Sequence, residues 1–348
     1  MTLGVERRTA PSSSLIDTRQ VFIGAIFSLI FIALALRDVQ VGDVANSLRQ
    51  VSPVWLVFAV ASFVLTSLAK AARWKMLFSL QQPPSLARSY SILSIGVLLN
   101  SFAPARLGEL ARAFLIGEAE TGSKMYALGT IAIEKVADLV FLMFSVSLLL
   151  SQMALPDWLA GPAKATGVSI LILLPVFLLL AWVNGFVLRT LERFGRFTPP
   201  SWIDWLLQKA RQGLESLQIL RTPRLVILLV FWSLLIWILG ISTNYLVFGA
   251  MGMDLNALAA LLLLVVLQVG VAVPSSPGRI GVFHYLTILT LSVFAVDKGT
   301  ALGYSIMLYL VIYVPITVMG GYFLWRERIT WQRLMEAAAA LGRLRKAK

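Results

Sequence analysis

Long apolar segments separated by short polar segments dominate the chain from residue 21 onward. Several of them run for sixteen or more residues with almost no charge, which is typical of helices that cross a bilayer. The apolar runs are continuous rather than alternating, which excludes a closed β-barrel. The pattern therefore predicts an all-α polytopic membrane protein, with spans at 21–36, 53–69, 126–151, 167–188, 225–248 and 300–325.

Two shorter apolar arms, 91–103 and 107–117, surround a break at Pro104. Thirteen helical residues, the length of the first arm, reach only about 20 Å, whereas the hydrocarbon core is about 30 Å thick. Neither arm can cross alone, so we predict a re-entrant hairpin that enters from the cytoplasm. Non-helical backbone at that depth has to be buried in protein or line a wet cavity.

A second pair of arms, 258–273 and 280–296, flanks the proline-rich sequence 274–278. Each arm is about sixteen residues long, which leaves two alternatives open. The arms form either a second re-entrant hairpin or two further full spans.

The breaks of the two hairpins share the pattern Pro-x-Arg-aliphatic-Gly. The copies are Pro104-Ala105-Arg106-Leu107-Gly108 and, 173 positions later, Pro277-Gly278-Arg279-Ile280-Gly281. Each half of the chain reads span, span, broken hairpin, span, and we predict an inverted repeat. Interrupted apolar segments at corresponding positions of two halves indicate the midplane binding site of a transporter. A cation at both breaks favours an anionic cargo.

Positive charge determines the predicted topology. The formal net charge is +13, and Lys and Arg cluster near the N-terminus, in 70–88, in 189–224 and in the tail. Because cytoplasmic loops carry an excess of these residues, we place all four segments and both termini in the cytoplasm, in the plasma (inner) membrane of a prokaryote. The predicted divisions are a cytoplasmic segment 1–20, a first membrane repeat 21–151, a second repeat 152–325 that includes the basic loop 189–224, and a tail 326–348.

Composition excludes several functions. The chain has no cysteine and a single histidine, His284, which rules out a disulfide framework and a histidine-rich metal site, and we expect no cofactor. The basic segments are not interleaved with aromatic residues in a way that indicates nucleic-acid binding, and they suit anionic lipid head groups instead. The sequence contains no nucleophile–histidine–carboxylate set, phosphate loop or HExxH motif, so we do not expect an enzyme.

The densest polar cluster lies in and after the first hairpin. Arg106, Glu109 and Arg112 are spaced i, i+3 and i+6, so Glu109 can sit between the two arginines on one side of a helix. We take both arginines and Asn100 as candidate substrate-binding residues. An arginine at a helix break, with free amide groups nearby, is suited to bind a phosphate.

Three more charges lie within the span 126–151: Glu134, Lys135 and Asp138. Glu134 and Asp138 share one helix face, and Lys135 and Asp138 are spaced to pair. Charges inside a span usually face a cavity or a partner. Together with Glu109 they are candidates for charge balancing or proton coupling. The alternative is an internal ion-pair network that pins the hairpin to the span.

The second hairpin is less charged. Ser276 and Arg279 are candidate substrate-binding residues, because Arg279 stands at the start of an arm where the helix dipole favours an anion. His284 is a candidate for proton coupling, although a lone histidine near an apolar face more often has a structural role. Three tyrosines of the last span are expected to pack with their hydroxyl groups bonded to neighbours: Tyr304, Tyr309 and Tyr313.

Three motifs together resemble a known family. They are Pro104-x-Arg106-x-Gly108-Glu109-x-x-Arg112, Glu134-Lys135-x-x-Asp138 and Ser276-Pro277-Gly278-x-Ile280-Gly281-Val282-Phe283. Over roughly residues 20–325 the chain is similar to the lysylphosphatidylglycerol synthase transmembrane, or flippase-like, domain family. This is the membrane half of the bacterial multiple peptide resistance factor, and it also occurs as stand-alone proteins. The resemblance implies movement of a lipid between leaflets, its head passing through a cavity lined by two hairpins.

The chain departs from the family pattern in its charges. Lys135 replaces an arginine, Arg279 replaces a glycine and His284 replaces a glutamate. The family's last span often carries an arginine seven residues before its proline, where this chain has Leu308 before Pro315. The changed charges are consistent with a different head group. About twenty residues follow the last span, too few for the soluble synthase domain, so the resemblance does not imply synthase activity.

Three functions fit the sequence. The leading one is a flippase or transporter for an anionic or polar-headed lipid, of phospholipid or polyprenyl-phosphate type, in which Arg106 and Arg279 bind the phosphate in turn. The alternatives are a non-transporting membrane partner of a separately encoded glycosyltransferase or lipid synthase, and a membrane enzyme acting on a lipid head group. No stripe of small residues specifies a dimer face, so a homo-oligomer stays an open alternative.

Overall fold

The computed structural model describes residues 18–37, 39–102, 107–117, 123–153, 211–270 and 277–329, together with isolated positions between 158 and 209. Within these ranges the regular structure is helical and no strand is present. The helices are α1 (Thr18–Leu36), α2 (Val41–Arg49), α3 (Pro53–Met76), α4 (Leu86–Phe102), α5 (Leu107–Ile116), α6 (Lys124–Gln152), α7 (Pro223–Ala250), α8 (Ala257–Gly270), α9 (Ile280–Ser292) and α10 (Lys298–Arg326). Short 3₁₀ turns, Ser216–Arg221 and Pro277–Arg279, precede α7 and α9.

Helices α3, α7 and α10, with 24, 28 and 29 residues, are long and apolar enough to cross a membrane. They cover the spans predicted at 53–69, 225–248 and 300–325. The first of these was predicted to extend toward Trp74, and α3 continues to Met76. Two more predicted spans, 21–36 and 126–151, are covered by α1 and α6. The predicted span 167–188 lies outside the described residues apart from isolated positions.

Local signals set the ends of these helices. Pro53 and Pro223 occupy the first turns of α3 and α7, where a missing N–H costs nothing. The Ser123 hydroxyl caps α6 by accepting from the Tyr126 N–H at 3.1 Å, and the Asp297 carboxylate caps α10 by accepting from the Thr300 N–H at 2.9 Å. Such caps satisfy amide groups that have no partner within the helix.

The two predicted broken hairpins are present as the pairs α4–α5 and α8–α9. Their arms have 17, 10, 14 and 13 residues, so the longest reaches only about 26 Å at 1.5 Å per residue. Each of the four arms is therefore shorter than the thickness of the hydrocarbon core, which is about 30 Å. The lengths therefore favour the re-entrant alternative for the second hairpin. The breaks 103–106 and 271–276 lie outside the described residues.

Helix α2 is an element for which the sequence analysis made no prediction. Val44 and Leu48 are one turn apart on α2, and Val44 packs into the same apolar cluster as Leu302 of α10. At Gly303 a Cβ would lie 3.4 Å from the Cβ of Ser47. The small residue lets α2 lie close against α10, and this tertiary contact stabilises a short amphipathic helix.

The centre of the fold is the tightly packed pair α3 and α7. Ser62 donates to the Leu239 carbonyl at 3.0 Å, and the Thr243 hydroxyl donates to Ser62 at 3.1 Å. Small hydroxyl residues let helices approach in a membrane and form hydrogen bonds between them. Both hairpins are held by this pair, since α4 contacts α3, and α8 contacts α7.

The described positive charge is concentrated at one end of the bundle, which we call the basic end. There the end of α3, the start of α4, the start of α6 and the end of α10 share one apolar cluster around Trp74 and Phe323. Arg88 forms an ion pair with Glu327 across α4 and α10. The cations of the basic end include Lys75, Arg88, Lys124, Arg221, Arg224, Arg326 and Arg328. The opposite end carries Asp43, Asp254 and Asp297 together with Arg37, Arg49 and Lys298, which balance them in charge.

Candidate functional site

Described residues that flank the two hairpin breaks meet inside the bundle. The Arg279 guanidinium, at the start of α9, donates to the Asn100 carbonyl near the end of α4 at 3.3 Å, and the two residues are 179 positions apart in sequence. Tyr309 of α10 completes the contact by donating to the Gly278 carbonyl at 3.0 Å. We call these residues, with Gly108, the hairpin junction.

The backbone of the second break is shaped to present Arg279. Gly278 has φ 77° and Arg279 has φ 55°, the left-handed region that glycine adopts freely and other residues adopt at a cost of about 1–2 kcal/mol. The cost at Arg279 is offset by its contact with Asn100. Helix α9 begins at the next residue, Ile280, so its first amide groups lie beside the guanidinium.

Gly281 fixes the second break against the first helix. Its N–H donates to the Ser28 hydroxyl at 3.4 Å, and a Cβ built there would overlap the Ser28 carbonyl oxygen. Gly281, the glycine of the repeated pattern in its second copy, is thus required for close contact between α9 and α1. Pro277 lies in the preceding 3₁₀ turn.

Asn100 and Gly108 close the first break. The Asn100 side-chain oxygen accepts from the Gly108 N–H at 2.9 Å, which satisfies an amide at the start of α5. A Cβ on Gly108 would overlap the Gly96 carbonyl oxygen. The structure therefore shows a structural bond for the Asn100 side chain, while its role in binding a substrate stays a prediction.

Charged residues of α3, α5 and α6 form an ion-pair network beside the first break. Arg112 of α5 contacts Glu134 of α6 at 2.8 Å. Arg73 of α3 contacts the other Glu134 oxygen at 3.5 Å and Asp138 at 2.7 Å. Nearer the surface, Lys135 contacts Glu109 at 2.8 Å. The hairpin is thus pinned to α6 by two ion pairs, as the network alternative of the sequence analysis expected.

The observed ion pairs differ from the pairs that spacing along the sequence predicted. Glu109 pairs with Lys135 of another helix, and Arg112 pairs with Glu134. Lys135 and Asp138, which are spaced to pair within α6, each contact a residue of a different helix. Long side chains in a bundle reach across to facing helices, and these contacts replace the weak pairs available on a single helix surface.

Arg73 is the main residue of this network that the sequence analysis did not select as a site residue. It lies in the positive segment 70–88, and its side chain is fully buried and also donates to the Ser233 hydroxyl at 3.0 Å. The available signal was an imbalance within the predicted span. Two carboxylates there, Glu134 and Asp138, had one lysine as partner, and buried carboxylates need more cations than that.

The network holds more hydrogen-bond donors than its ion pairs use. Its paired charges balance, with Arg73, Arg112 and Lys135 against Glu109, Glu134 and Asp138. Among the described atoms, the Nε groups of Arg73 and Arg112 are buried without a hydrogen-bond acceptor. The Arg112 guanidinium also lies 4.3 Å from the ring centre of Trp74. Such a group of donors favours a bound anion.

His284 and the tyrosines form an aromatic cluster beside the junction. The His284 Nδ1 lies 2.7 Å from the Ser305 hydroxyl, and its ring centre lies 5.4 Å from that of Tyr309. Tyr309 stacks on Tyr313 at 4.0 Å, and Tyr304 donates to the Asn244 carbonyl at 3.0 Å. The hydrogen bonds expected for Tyr304 and Tyr309 are confirmed. Proton coupling by His284 stays a prediction.

Some predicted site residues cannot be placed. Pro104, Arg106 and Ser276 lie outside the described residues. Leu308, where the family resemblance suggested a missing arginine, is fully buried next to the tyrosines. In the part of the chain that the structure describes, no group of three or more His, Asp or Glu residues is arranged to hold a metal ion.

Comparison with known proteins identifies the family to which this arrangement is related. A family model for the lysylphosphatidylglycerol synthase TM region matches residues 21–320. A UPF0104 membrane protein of Methanothermobacter thermautotrophicus is 22% identical over 315 residues, which cover 85% of this chain and 92% of that protein. A UPF0104 membrane protein of Methanocaldococcus jannaschii is 20% identical over 322 residues, covering 85% and 91%. No solved structure matches the chain significantly.

Proposed function

The chain belongs to the lysylphosphatidylglycerol synthase transmembrane-region family, and from this premise we propose that it moves an anionic or polar-headed lipid between the leaflets of a membrane. The observation that carries the proposal is the hairpin junction, where Arg279 of one interrupted segment reaches the carbonyl of Asn100 in the other. Interrupted helices that meet within a membrane are typical of transporter binding sites.

The chemistry at the junction supports an anionic group as cargo. Arg279 stands at the start of α9, where the helix dipole favours an anion. A guanidinium binds a phosphate through two parallel hydrogen bonds. In a membrane, such a phosphate belongs to a lipid head group.

The mechanism we propose is alternating access. The two halves are an inverted repeat in this proposal, and Arg106 and Arg279 bind the phosphate in turn as one hairpin opens inward and the other outward. Glu134 and Glu109, which now pair with Arg112 and Lys135, balance the cations when no lipid is bound. One carboxylate of this network carries a coupling proton.

The lipid is of phospholipid or polyprenyl-phosphate type, and the protein lies in the plasma membrane of a prokaryote with its basic end and both termini in the cytoplasm. The end of the bundle that gathers Lys and Arg supports this orientation. Relatives from archaea, named as membrane proteins, support a prokaryotic membrane.

Leaflet exchange in proteoliposomes tests the proposal. Purified protein is reconstituted with head-group-labelled anionic and neutral lipids, and a membrane-impermeant quencher reports how much label has crossed. We expect the wild-type protein to accelerate exchange of the anionic lipid. Arg279→Gln, which keeps length and hydrogen-bonding capacity without charge, is expected to slow it roughly tenfold or more, and Arg106→Ala is expected to abolish it.

Two controls separate charge from packing. Arg279→Lys keeps the positive charge and is expected to retain part of the activity, while Arg224→Gln removes an exposed arginine at the start of α7 and is expected to exchange lipid like wild type. Exchange by Arg279→Gln at the wild-type rate contradicts the proposed role of the junction. No acceleration of any lipid by folded wild-type protein favours the alternative of a non-transporting membrane partner.

A further inference from the structure

The last helix, α10, contains Pro315, and the two halves on either side of this proline bind different hairpins. The half before Pro315 binds the second hairpin. Tyr309 donates to the Gly278 carbonyl at 3.0 Å, and the Ser305 hydroxyl lies 2.7 Å from the His284 Nδ1. The first half of α10 is therefore attached to α9 and to the backbone that precedes it.

The second half of α10 packs against α4 of the first hairpin. The rings of Tyr90 and Phe323 meet edge to face, with their centres 5.8 Å apart. A Cβ at Gly320 would lie 2.6 Å from the Leu98 Cβ, so the two helices are in close contact because Gly320 has no side chain. We call this contact, which runs along α4 from Arg88 to Leu98, the α4–α10 seam.

An ion pair closes the seam at the basic end. Arg88 contacts Glu327, and the Ser91 hydroxyl donates to the other oxygen of the same carboxylate. The side chains of Arg88 and Glu327 are 28% and 15% exposed. Water can therefore reach both charges when the pair separates, whereas separating a fully buried pair leaves each charge without a partner.

The seam leads from the basic end toward the hairpin junction. The ten residues of α4 between Arg88 and Leu98 rise about 15 Å at 1.5 Å per residue. Asn100, which accepts from Arg279 at the junction, follows two residues later. Separation of α4 from α10 along the seam would thus open a path between the basic end and the junction.

Pro315 provides a point at which α10 can bend. Proline has no N–H, so the Val311 carbonyl loses its helical hydrogen bond, and helices kink at such positions. The Thr317 hydroxyl donates to the Tyr313 carbonyl at 2.8 Å, a type of bond that also bends helices. The second half of α10 can therefore move while the first half keeps its contacts with the second hairpin.

We propose that α10 couples the two hairpins, with Pro315 as its hinge and the Arg88–Glu327 ion pair as a latch that holds the basic end closed. This proposal rests on the alternating access of the proposed function, because it names the seam that opens toward the basic end. When the latch breaks, the half of α10 after Pro315 moves away from α4. The junction then becomes accessible to a lipid from the leaflet at the basic end.

Distances between spin labels test the latch without any measurement of transport. Ala87→Cys and Arg326→Cys carry nitroxides at exposed positions beside the latch, in a chain that has no other thiol. The labelled full-length protein is studied in vesicles. We expect Glu327→Gln and, separately, Arg88→Gln to raise the fraction of molecules with a longer label distance roughly threefold, the effect of losing one partly exposed ion pair.

Three further variants separate the ion pair from other effects of charge. Arg88→Glu combined with Glu327→Arg reverses both charges but keeps the pair, and should restore the wild-type distances. Asp254→Asn removes a carboxylate from the opposite end and should leave the distances unchanged. Pro315→Ala returns a hydrogen bond to the Val311 carbonyl, and should suppress the longer distance when it is combined with Glu327→Gln.

A reversible crosslink tests whether the latch controls lipid exchange. In the double variant Arg88→Cys with Glu327→Cys, a short bis-methanethiosulfonate reagent joins α4 to α10 in place of the two side chains, and a reducing agent releases it. We expect the joined protein to exchange anionic lipid at roughly a tenth of the rate of the same protein after reduction. Methyl methanethiosulfonate caps both thiols without joining them, and should leave the rate unchanged.

Each part of the proposal can fail separately. Unchanged label distances in both Arg88→Gln and Glu327→Gln would overturn the latch, and a longer distance that persists after Pro315→Ala would overturn the hinge. Exchange by the joined protein at the rate of the reduced protein would contradict control at this seam. Label distances that respond as expected in a protein that exchanges no lipid support the latch and contradict only the transport function.

Discussion

At the scale of single residues, glycine sets the backbone geometry next to the hairpin breaks and arginine supplies the charge. Gly108 lets α4 and α5 approach, because any side chain there would meet the Gly96 carbonyl and lie 2.8 Å from Asn100 Cγ. Gly278 supplies a positive φ that turns the chain into α9. Arg279 then presents its charge at the break. The repeated pattern thus encodes a close approach and a positioned cation.

Gly108→Ala tests the close approach. The added methyl group has no room against Gly96 and Asn100, so we expect the free energy of unfolding to fall by about 1–3 kcal/mol, the usual cost of overpacking. Thermal unfolding of the detergent-purified protein measures it. Gly321→Ala is the matched control, since nothing lies within 4 Å of a Cβ at that position, and equal losses in the two variants would argue against a tight first hairpin.

Glu134→Gln and Glu109→Gln test which ion pairs matter for stability. The Glu134 side chain is 6% exposed and bridges Arg73 and Arg112. Removing its charge leaves Arg112 without a carboxylate partner and Arg73 with Asp138 alone. The loss should lower the free energy of unfolding by about 3–5 kcal/mol. Lys135, the partner of Glu109, is 46% exposed, and losing that pair should cost about 0–1 kcal/mol. Denaturation midpoints in one detergent compare the two directly, and the reverse ranking would refute the network described for the buried charges.

At the scale of elements, hydropathy located the helices well and their ends less well. The apolar pattern found α3, α7 and α10, but it placed the end of α3 only loosely, as a span 53–69 that extends toward Trp74. The helix runs to Met76, and Arg73 there finds carboxylate partners on α6 that cannot be seen in the local sequence. Helix α2 was missed for a similar reason, since nine residues form a stable helix only when they pack on a neighbour.

Substitution of Asp297 tests how much its cap on α10 contributes to the free energy of unfolding. The N–H of Thr300 donates to its carboxylate and lowers the pKa of Asp297. Asp297→Ala should cost about 1 kcal/mol of unfolding free energy. Because the folded-state pKa is below the unfolded one, this stability is present above the unfolded pKa of about 3.9 and is lost as pH falls through the folded value.

Unfolding midpoints measured from neutral pH down to about pH 3 separate the charge of Asp297 from its hydrogen bond. Asp297→Asn retains an acceptor for the cap, so it should be nearly as stable as wild type at neutral pH and lack this part of the acid loss. An unchanged acid profile in Asp297→Asn would mean that other carboxylates account for it.

At the scale of the whole molecule, the bundle is polarised. The basic end gathers an excess of Lys and Arg, whereas the acidic residues of the opposite end are matched by Arg37, Arg49 and Lys298. Positive residues are retained on the cytoplasmic side during insertion, so this distribution supports the proposed orientation.

The orientation has a direct test because the chain contains no cysteine. Ser79→Cys places a thiol at an exposed position of the basic end, and Asp254→Cys places one at an exposed position of the opposite end. In intact cells, a membrane-impermeant maleimide should label Asp254→Cys and should label Ser79→Cys only after permeabilisation. Labelling of Ser79→Cys in intact cells would invert the proposed topology.

The sequence by itself determined the features that depend on local chemistry. Continuous apolar runs specified membrane helices, proline and glycine specified two breaks, and arm length limited how far each hairpin reaches. The spacing that the two copies of the pattern share also identified Arg279 and Gly108 as residues of a break. These properties follow from neighbours within a few positions along the chain, where hydropathy and backbone preference act.

Only the tertiary structure decided which charges meet. Arg73 and Glu134 are 61 positions apart, and Arg279 and Asn100 are 179 apart, so their contacts depend on how the helices pack. Burial makes each cation take the nearest facing carboxylate or carbonyl rather than the partner next to it in sequence, because an unpaired charge inside a membrane protein is costly. The hairpin junction and the ion-pair network both arise at that level.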